Sequence, residues 1–471
     1  MTRLDVMRRR RRAAAGNDDP ASITRSAARI ARGIGLAPIG SEQGMTEFII
    51  QLTAATAADA DRIGPKAANL AALTHAGLPT PGGFCLSAQA YRAQIAALGL
   101  APLIRRFANA DVPEQRRLYV EIRLALYERP IAPTILAPLL VAWHAQRVAS
   151  AGASAVRSSA LIEDRKGSNF AGQFESFLGI DEEAALLTAV RACWAALWTT
   201  TARRSMENHG CSPADTAMAV LIQPLVDARA SGGGLSETAA GGMLISATWG
   251  LGSTIAQGEV VPDRVVLSRQ GFVRKIEAGR KDHRESCRHG AATVPQAVPS
   301  ELIDAPCLDA AQAVTLGRMM RKAETVIGGA VEIEWALDHA GFKLLQARAL
   351  AVEPITVPDE IWRKHPGLSG HPAGVGWCTG RAVVVNCECE LARVAPGDVL
   401  VTRIASPALS HVLPRVAGVV AELGGSTSHL ASLARERGIP MVLGVLEATG
   451  RIPDGAQVAV DGVAGIVRWM A

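Results

Sequence analysis

The chain has little of several residue types, and each shortage limits what the protein can be. Its 471 residues contain no uninterrupted run of about 18 apolar residues, so we expect no transmembrane helix. Aromatic residues make up only 4%, so the core must rest on aliphatic side chains and alanine. Hydrophobic residues still reach 49%, which is typical of folded chains rather than disordered ones. A chain of this length corresponds to about three domains.

Cysteine is present but not in a metal-binding pattern. None of the eight cysteines forms a C-x-x-C pair, and Cys387 and Cys389 are spaced too tightly for the usual zinc site. Disulfides are rare in the cytoplasm. We therefore expect reduced thiols and a cytoplasmic location.

The positive charge is concentrated at the N-terminus. Residues 1–44 contain nine basic and four acidic residues, and their net charge of +5 equals that of the whole chain. The remainder is neutral overall, so we expect neither a nucleic-acid nor a membrane partner. Residues 1–45 are predicted to be a disordered basic extension. A transit peptide and a true start at Met45 are the alternatives.

Composition and periodicity divide the rest of the chain into three parts. Residues 46–352 alternate between helix and strand signals, residues 353–372 form a proline-rich linker, and residues 373–471 form a compact last unit. Gly64-Pro65 predicts the start of a helix, and Gly77 predicts its end. Further predictions are one long helix over 181–210, strands over 217–226, 243–248 and 265–267, and weak patterning over 270–312.

In the last unit, His429 follows a glycine-rich turn. A buried strand ending at Glu422 is followed by Gly424-Gly425 and by a helix with Thr427 or Ser428 as its N-cap. In the first turn of that helix, the dipole favours a neutral imidazole near pH 7 and a bound anion. An imidazole nitrogen can accept a phosphoryl group. A helix-capping or merely buried histidine is the alternative.

Two strands near residue 340 predict a hairpin with paired polar residues. A five-residue loop over 338–342 would pair Glu334 with Gln346 and Glu332 with Arg348, whereas a four-residue loop would separate them. In the first register, Glu334 and Gln346 offer oxygen ligands to Mg²⁺, and Arg348 can contact phosphate. A charged edge hairpin is the alternative.

Three further segments have residues suited to phosphate. Lys66 follows Gly64-Pro65 at a helix N-terminus, and Arg157 offers a planar guanidinium next to a polar loop. Gly172 and Gln173 lie in a small-residue loop that phosphates can approach. A surface lysine, a salt bridge and an ordinary turn are the alternatives.

The last unit resembles a known domain over nearly all of residues 373–471. Gly-Gly-x-Thr-Ser-His at 424–429 and Ala-Arg-Glu-x-Gly-Ile-Pro at 434–440 resemble the mobile phosphohistidine domain of the phosphoenolpyruvate-utilising enzymes. That family includes phosphoenolpyruvate synthase, pyruvate phosphate dikinase and rifampicin phosphotransferase. The resemblance implies that His429 is phosphorylated and that Thr427 is a regulatory phosphorylation site.

The first region resembles the nucleotide-binding domain of the same family, an ATP-grasp fold, in segments that span most of residues 60–350. The implied fold class is α/β and α+β multidomain: a two-lobed ATP-grasp domain followed by a swivelling β/β/α phosphohistidine domain. ATP and Mg²⁺ are the implied ligands. The implied roles are phosphate binding by Lys66, Arg157 and Arg348, an adenine contact by Gln223, and magnesium binding by Glu334 and Gln346.

The resemblance implies an ATP-dependent phosphotransferase that phosphorylates His429 and passes the phosphoryl group to pyruvate or another small molecule. Only a short linker joins the two units and no barrel follows them, so we expect the acceptor on a separate subunit. A rifampicin- or phenol-type phosphotransferase component is an alternative. Pro65, the stretch 233–236 and Ser253 depart from the family pattern, and they favour a second alternative, a non-catalytic phosphocarrier or regulatory protein.

Overall fold

The structure, a computed structural model, describes residues 48–470 except 151, 164–173, 175, 209, 240, 289–290 and 351–361. The predicted extension 1–45, the first half of the predicted linker, Gly172 and Gln173 therefore lie outside the described residues. Within the described part, no single helix is long and apolar enough to cross a bilayer, although the bent pair Val112–Glu128 and Pro133–Ser150 passes by length and composition.

The helices, numbered along the chain, are α1 Ala60–His75, α2 Ala88–Ala97, α3 Ala101–Asn109, α4 Val112–Glu128, α5 Pro133–Ser150, α6 Glu183–Ala196, α7 Thr200–Asn208, α8 Ser253–Ala256, α9 Ser300–Ile303, α10 Ala310–Ile327, α11 His429–Glu436 and α12 Ala448–Arg451. The strands are β1 Ile49–Gln51, β2 Phe84–Leu86, β3 Ser154–Ala160, β4 Ser176–Ile180, β5 Met218–Pro224, β6 Ala230–Leu235, β7 Gly242–Trp249, β8 Asp263–Ser268, β9 Val273–Glu277, β10 His283–Arg288, β11 Ala291–Ala297, β12 Val331–Asp338, β13 Gly341–Ala349, β14 Gly367–Ser369, β15 His371–Pro372, β16 Trp377–Val385, β17 Val399–Thr402, β18 Gly418–Ala421, β19 Met441–Leu443, β20 Gln457–Asp461 and β21 Ile466–Met470.

The first lobe is a sheet of order β1-β2-β5-β3-β4 with helices packed on it. Its core joins the sheet residue Val156 to large side chains of the helices, among them Trp143 and Trp194, and all three are fully buried. Burial of side chains this large is a major source of stability, because each removes well over 100 Å² of apolar area from water.

The second lobe is an antiparallel sheet of order β13-β12-β6-β7-β8-β9. Ile333 and Trp335 of β12 point to one face, where they pack against Leu316 and Met320 of α10. Because strand side chains alternate, Glu332 and its neighbours of even number lie on the opposite face. This second face carries polar residues and is covered by the last domain.

The central region departs from three expectations. The long helix predicted over 181–210 is divided into α6 and α7, and the Thr199 hydroxyl between them accepts a hydrogen bond from the Ala202 N–H at 3.2 Å, which caps the second helix. The weakly patterned stretch 270–312 contains β9, β10, β11, α9 and the start of α10. The strands predicted over 217–226, 243–248 and 265–267 are confirmed as β5, β7 and β8.

The β12–β13 hairpin has the predicted pairing but a different turn. Asp338 pairs with Gly341, so the loop has two residues rather than five, and the predicted pairing of Leu337 with Lys343 is wrong. A β-bulge at Leu345 shifts the register beyond Trp335 by one residue. Glu334 therefore faces Gln346, and Glu332 faces Arg348, as predicted.

The last domain is built on a sheet of order β14-β21-β20-β16-β17-β18-β19-β15, with β16 to β19 parallel. Residues 367–372, predicted as part of the linker, form β14 and β15 of this sheet instead, since Gly367 and His371 pair with Arg468 and Leu443. The expectation of reduced thiols is wrong for one pair, because Cys387 and Cys389 form a disulfide.

Candidate active site

His429 begins α11 directly after the glycine turn that follows β18. Ser428 is the N-cap and accepts a hydrogen bond from the Ala431 N–H at 3.3 Å, which selects it over Thr427 for this role. The helix ends before Gly438, which has a φ of 65°. The carboxyl edge of the parallel strands thus presents His429 to the nucleotide-binding region.

Lys66 lies in the first turn of the regular part of α1. Gly64 has a φ of 78°, so the regular helix resumes at Pro65, as expected. A Cβ on Gly64 would also lie 2.3 Å from the Ser159 Oγ, so only glycine fits there. The Lys66 Nζ donates to the Ser158 carbonyl at 2.8 Å and lies 3.4 Å from Glu163.

Lys66 is only 12% exposed, which argues against a freely solvated surface lysine. Arg157 of β3 is also 12% exposed and donates to Glu334 of β12 at 3.0 Å. The Nε of Arg157 is buried and has no hydrogen-bond partner in the structure. An N–H left without an acceptor in such a place is suited to an anion.

The predicted adenine contact lies on the same face of the first sheet as Arg157. Arg157 pairs with Leu221, and Gln223 is two residues further along β5. Gln223 is buried, and its amide donates to the Gly82 carbonyl at 3.1 Å. This placement is compatible with the predicted role.

Arg348 joins the hairpin to the last domain. Its Nε and Nη2 donate to Glu332 at 3.2 and 2.7 Å, and its Nη1 donates to Glu436 of α11 at 2.9 Å. Glu332 also accepts from the Ser432 hydroxyl at 2.8 Å and from Arg435 at 3.0 Å. We call these five side chains, contributed by both regions, the charged side of the interface.

Small residues form a second part of the interface, which we call the glycine side. A Cβ on Gly233 of β6 would lie 2.5 Å from the Thr427 Cβ, and a Cβ on Gly425 would lie 2.3 Å from the Pro262 side chain. The Gly424 N–H donates to the Val260 carbonyl at 3.0 Å. The two backbones approach closely only because side chains are missing there.

Burial of the charged side is compensated by strong pairing. Burial raises the pKa of Glu332, but the charges of Arg348 and Arg435, with hydrogen bonds from Ser432 and Arg348, outweigh it and lower the pKa to about 2. Glu332 is therefore ionised throughout the physiological range. A buried carboxylate of this kind costs several kcal/mol if its partners are removed.

Burial is also the largest cause that lowers the pKa of His429 below its ordinary value. Glu334 opposes this effect, whereas Arg348 and Lys66 add to it. His429 is therefore neutral near pH 7, as predicted, although burial rather than the helix dipole is the leading cause. A neutral imidazole has the free lone pair that a nucleophile needs.

The residues predicted to bind Mg²⁺ fit such a site. Partial burial raises the pKa of Glu334, but the charge and hydrogen bond of Arg157 outweigh it, so the carboxylate is ionised. The Glu334 side chain is 44% exposed, and Gln346 is its cross-strand partner. Mg²⁺ bound with nucleotide phosphates commonly takes only one or two protein oxygens. The described residues contain no cluster of three or more His, Cys, Asp or Glu suited to a metal.

Two of the departures from the family pattern have a structural explanation. Gly233, within the altered stretch 233–236, makes room for Thr427. Ser253 replaces an acidic residue, but its hydroxyl donates to the Glu285 carboxylate, so an acid is present beside it. These positions therefore do not by themselves indicate a degenerate nucleotide site.

The comparisons with known proteins agree with this architecture. Residues 60–363 match the family described as pyruvate phosphate dikinase, AMP/ATP-binding domain, and residues 394–465 match PEP-utilising enzyme, mobile domain. The chain is 30% identical to a probable phosphoenolpyruvate synthase of Methanothermobacter thermautotrophicus over 86% of its length and 61% of that protein. It is 30% identical to a phosphoenolpyruvate synthase of Aeropyrum pernix, with 86% and 56% covered. It is 29% identical to that of Escherichia coli, with 89% and 57% covered.

The fold and the matches define a protein with an ATP-grasp-like nucleotide-binding domain followed by a mobile domain of the PEP-utilising type. The chain belongs to the phosphoenolpyruvate synthase and pyruvate phosphate dikinase family of ATP-dependent phosphotransferases. It spans somewhat more than half of the length of these curated relatives.

Proposed function

We propose that the chain transfers a phosphoryl group from ATP to His429 and then to an acceptor bound elsewhere. The observation that carries the proposal is the position of His429, whose neighbouring charges include Lys66, Glu334 and Arg348. These residues come from α1, β12 and β13, so elements distant in sequence meet at one imidazole. A phosphate site beside a neutral nucleophile is the arrangement that phosphoryl transfer requires.

In the proposed reaction, a nitrogen of His429 attacks the β-phosphorus of ATP. The new N–P bond forms as the bond from that phosphorus to the bridging α–β oxygen breaks, and AMP leaves with the electron pair. The pyrophosphoryl-histidine then loses its γ-phosphoryl group to water or phosphate, and the remaining phosphoryl group passes to the acceptor. These steps follow from the family resemblance.

The side chains of this chain position the reactants and balance their charge. Lys66, Arg157 and Arg348 supply the cationic donors for the phosphates. Glu334 and Gln346 would hold Mg²⁺, which when bound neutralises phosphate charge as the transferred group separates. Gln223 is proposed to contact the adenine edge. Gly172 and Gln173 are proposed to contact phosphate.

Thr427 is proposed as a regulatory phosphorylation site. Its side chain lies against Gly233 in the docked interface, where even an added Cβ would be too close. A phosphate on this hydroxyl would not fit between the two domains. Modification would therefore require the mobile domain to leave and would prevent its return.

The acceptor is proposed to be bound by a separate subunit or by a part of the protein outside this sequence. The chain covers 56% to 61% of the length of two relatives named for phosphoenolpyruvate synthesis, which leaves a large part of them unmatched. Pyruvate is the first acceptor to examine. Turnover of pyruvate by the purified chain alone would contradict this part of the proposal.

Labelled ATP tests the transfer to His429. We expect label from the β-position to accumulate on the wild-type chain with Mg²⁺, and His429→Asn to reduce it at least about 100-fold, as loss of a covalent nucleophile does. His411→Asn, an exposed histidine of the same domain, is the matched control and should label normally. Equal labelling of His429→Asn, or no labelling of any variant, would contradict the proposal.

A further inference from the structure

The ion pair between Arg348 and Glu436 connects a proposed phosphate ligand to the domain that must move. Arg348 uses three of its nitrogens on two carboxylates, one from its own region and one from α11. The Arg348 and Glu436 side chains are only 10% and 13% exposed. The guanidinium that should receive a phosphate is thus held by protein carboxylates while the mobile domain is docked.

These contacts create a competition. A guanidinium has five donors in one plane and binds carboxylate and phosphate with the same geometry. A phosphate that approaches Arg348 at the Nη1 edge must therefore displace the carboxylate that already occupies it. Glu436 occupies this edge at 2.9 Å.

The two carboxylates differ in how easily they can leave. Glu332 belongs to the same hairpin as Arg348 and is its cross-strand partner, so this pair stays together when the mobile domain moves. Glu436 belongs to α11 and moves with the mobile domain. Phosphate binding should therefore release Glu436 and leave the pairs of Glu332 intact.

We propose that Glu436 is a latch that holds the mobile domain docked while the phosphate site is empty and that yields Arg348 to the nucleotide. This inference rests on the proposed function, because it takes Arg348 as a phosphate ligand. Binding of nucleotide and closure of the latch oppose each other by the same free energy in both directions. The nucleotide therefore loosens the domain that must carry the phosphoryl group away.

The remaining contacts keep His429 in reach during transfer. Arg435 and Ser432 continue to hold Glu332, and Gly233 remains against Thr427. Loss of one buried pair weakens docking without abolishing it. Glu436 is a positioning residue in this scheme, since it acts through Arg348 and touches no reacting atom.

Nucleotide affinity tests the latch. Glu436→Gln keeps the size of the side chain and removes its charge, and Glu388→Gln, an exposed position of the same domain, is the matched control. The affinity can be measured by isothermal titration of the full chain with Mg²⁺ and a non-hydrolysable ATP analogue. If the latch is closed about four-fifths of the time in the wild type, Glu436→Gln should have a Kd about fivefold lower. Glu388→Gln should bind as wild type does.

Solution scattering of the wild-type chain and of Glu436→Gln provides a second measurement. The analogue should increase the maximum dimension, and Glu436→Gln should be more extended than wild type before the analogue is added. Equal Kd values for wild type and Glu436→Gln, or unchanged scattering, would overturn the latch alone. Failure of both proteins to bind the analogue would overturn the proposed nucleotide site and the latch with it.

Discussion

The two sides of the docked interface hold the mobile domain by different physical means. The charged side uses buried ion pairs between α11 and the β12–β13 hairpin, centred on Glu332 and Arg348. The glycine side uses close backbone approach at Gly233, Gly424 and Gly425. The first depends on protonation and on competing anions, whereas the second depends only on shape.

Because of this difference, the charged side determines how strongly the domain docks, and the glycine side determines where it docks. Buried ion pairs contribute less net stability than apolar contacts of the same size, but they are costly to break singly and they respond to charge. The glycine contacts tolerate no added atom and so fix how deeply His429 reaches. A domain that must dock repeatedly at one position and also leave needs both properties.

A fall in pH is expected to have the largest effect on docking of the mobile domain. Burial lowers the pKa of His371 to about 4 from its ordinary value of 6.5; Arg264 adds to this effect, whereas Glu277 and Asp263 oppose it. These three charges belong to the nucleotide-binding region, so His371 faces that region, and release of the domain would expose the imidazole to water, where it binds a proton more readily. Docking should be strongest above pH 6.5 and should weaken down to about pH 4, by up to about tenfold per pH unit for each proton bound.

Protonation of Glu332 should also weaken docking, but at lower pH. Its pKa of about 2 in the docked state means that its contribution is complete above its ordinary pKa of 4.5 and is lost as the pH falls toward 2. Solution scattering between pH 7.5 and 4.5 measures the opening. His371→Gln should reduce the dependence above pH 4.5 but leave the part due to His429, whose pKa is also lowered in the docked state. A wild-type chain of constant dimension over this range would contradict the prediction.

An added methyl group on the glycine side is expected to have the next largest effect. Gly233→Ala places a Cβ at 2.5 Å from the Thr427 Cβ, and overpacking of this kind costs about 1–3 kcal/mol. The rate of His429 labelling should fall about 5- to 150-fold. The control is Gly329→Ala, where a Cβ meets nothing within 4 Å.

A compensating change sharpens this prediction. The double variant Gly233→Ala with Thr427→Gly removes the side chain that the new methyl group meets, so labelling should recover substantially. No recovery, or equal losses for Gly233→Ala and Gly329→Ala, would show that the glycine side does not set the docked position.

The smallest expected effect is that of one hydrogen bond on the charged side. Ser432→Ala removes the 2.8 Å bond to Glu332, which keeps its pairs with Arg348 and Arg435. The loss should be about 1 kcal/mol, or roughly fivefold in the docked population. Scattering and labelling rates measure it, with Ser410→Ala as the control. An effect as large as that of Gly233→Ala would contradict the proposed division between the two sides.

The local parts of the site could be predicted from sequence because they depend on short-range rules. The glycine turn, the N-cap and Gly438 were enough to place His429 at the start of α11. The pairing of Glu334 with Gln346 was also predicted, although through a five-residue loop that the structure does not have. A two-residue turn combined with a one-residue bulge gives the same pairing as a five-residue loop. The amino-acid sequence alone does not distinguish these two arrangements.

The contacts between the domains could not be predicted in this way. Ser432 and Glu436 follow His429 by three and seven positions, a spacing that indicates a shared helix face. It does not indicate what that face meets, because the partners Glu332 and Arg348 are about 100 residues away. Such pairing depends on how two separately folded bodies come together.

The bulge at Leu345 has a consequence for how this hairpin can vary. It lies between the turn and the polar pairs of Gln346 and Arg348. Loss of this single residue would remove the bulge and keep both polar pairs, because Leu344 and Gln346 would become neighbours that face Trp335 and Glu334 as before. A hairpin with this bulge and a regular hairpin one residue shorter can therefore place the same oxygen and nitrogen atoms beside the histidine.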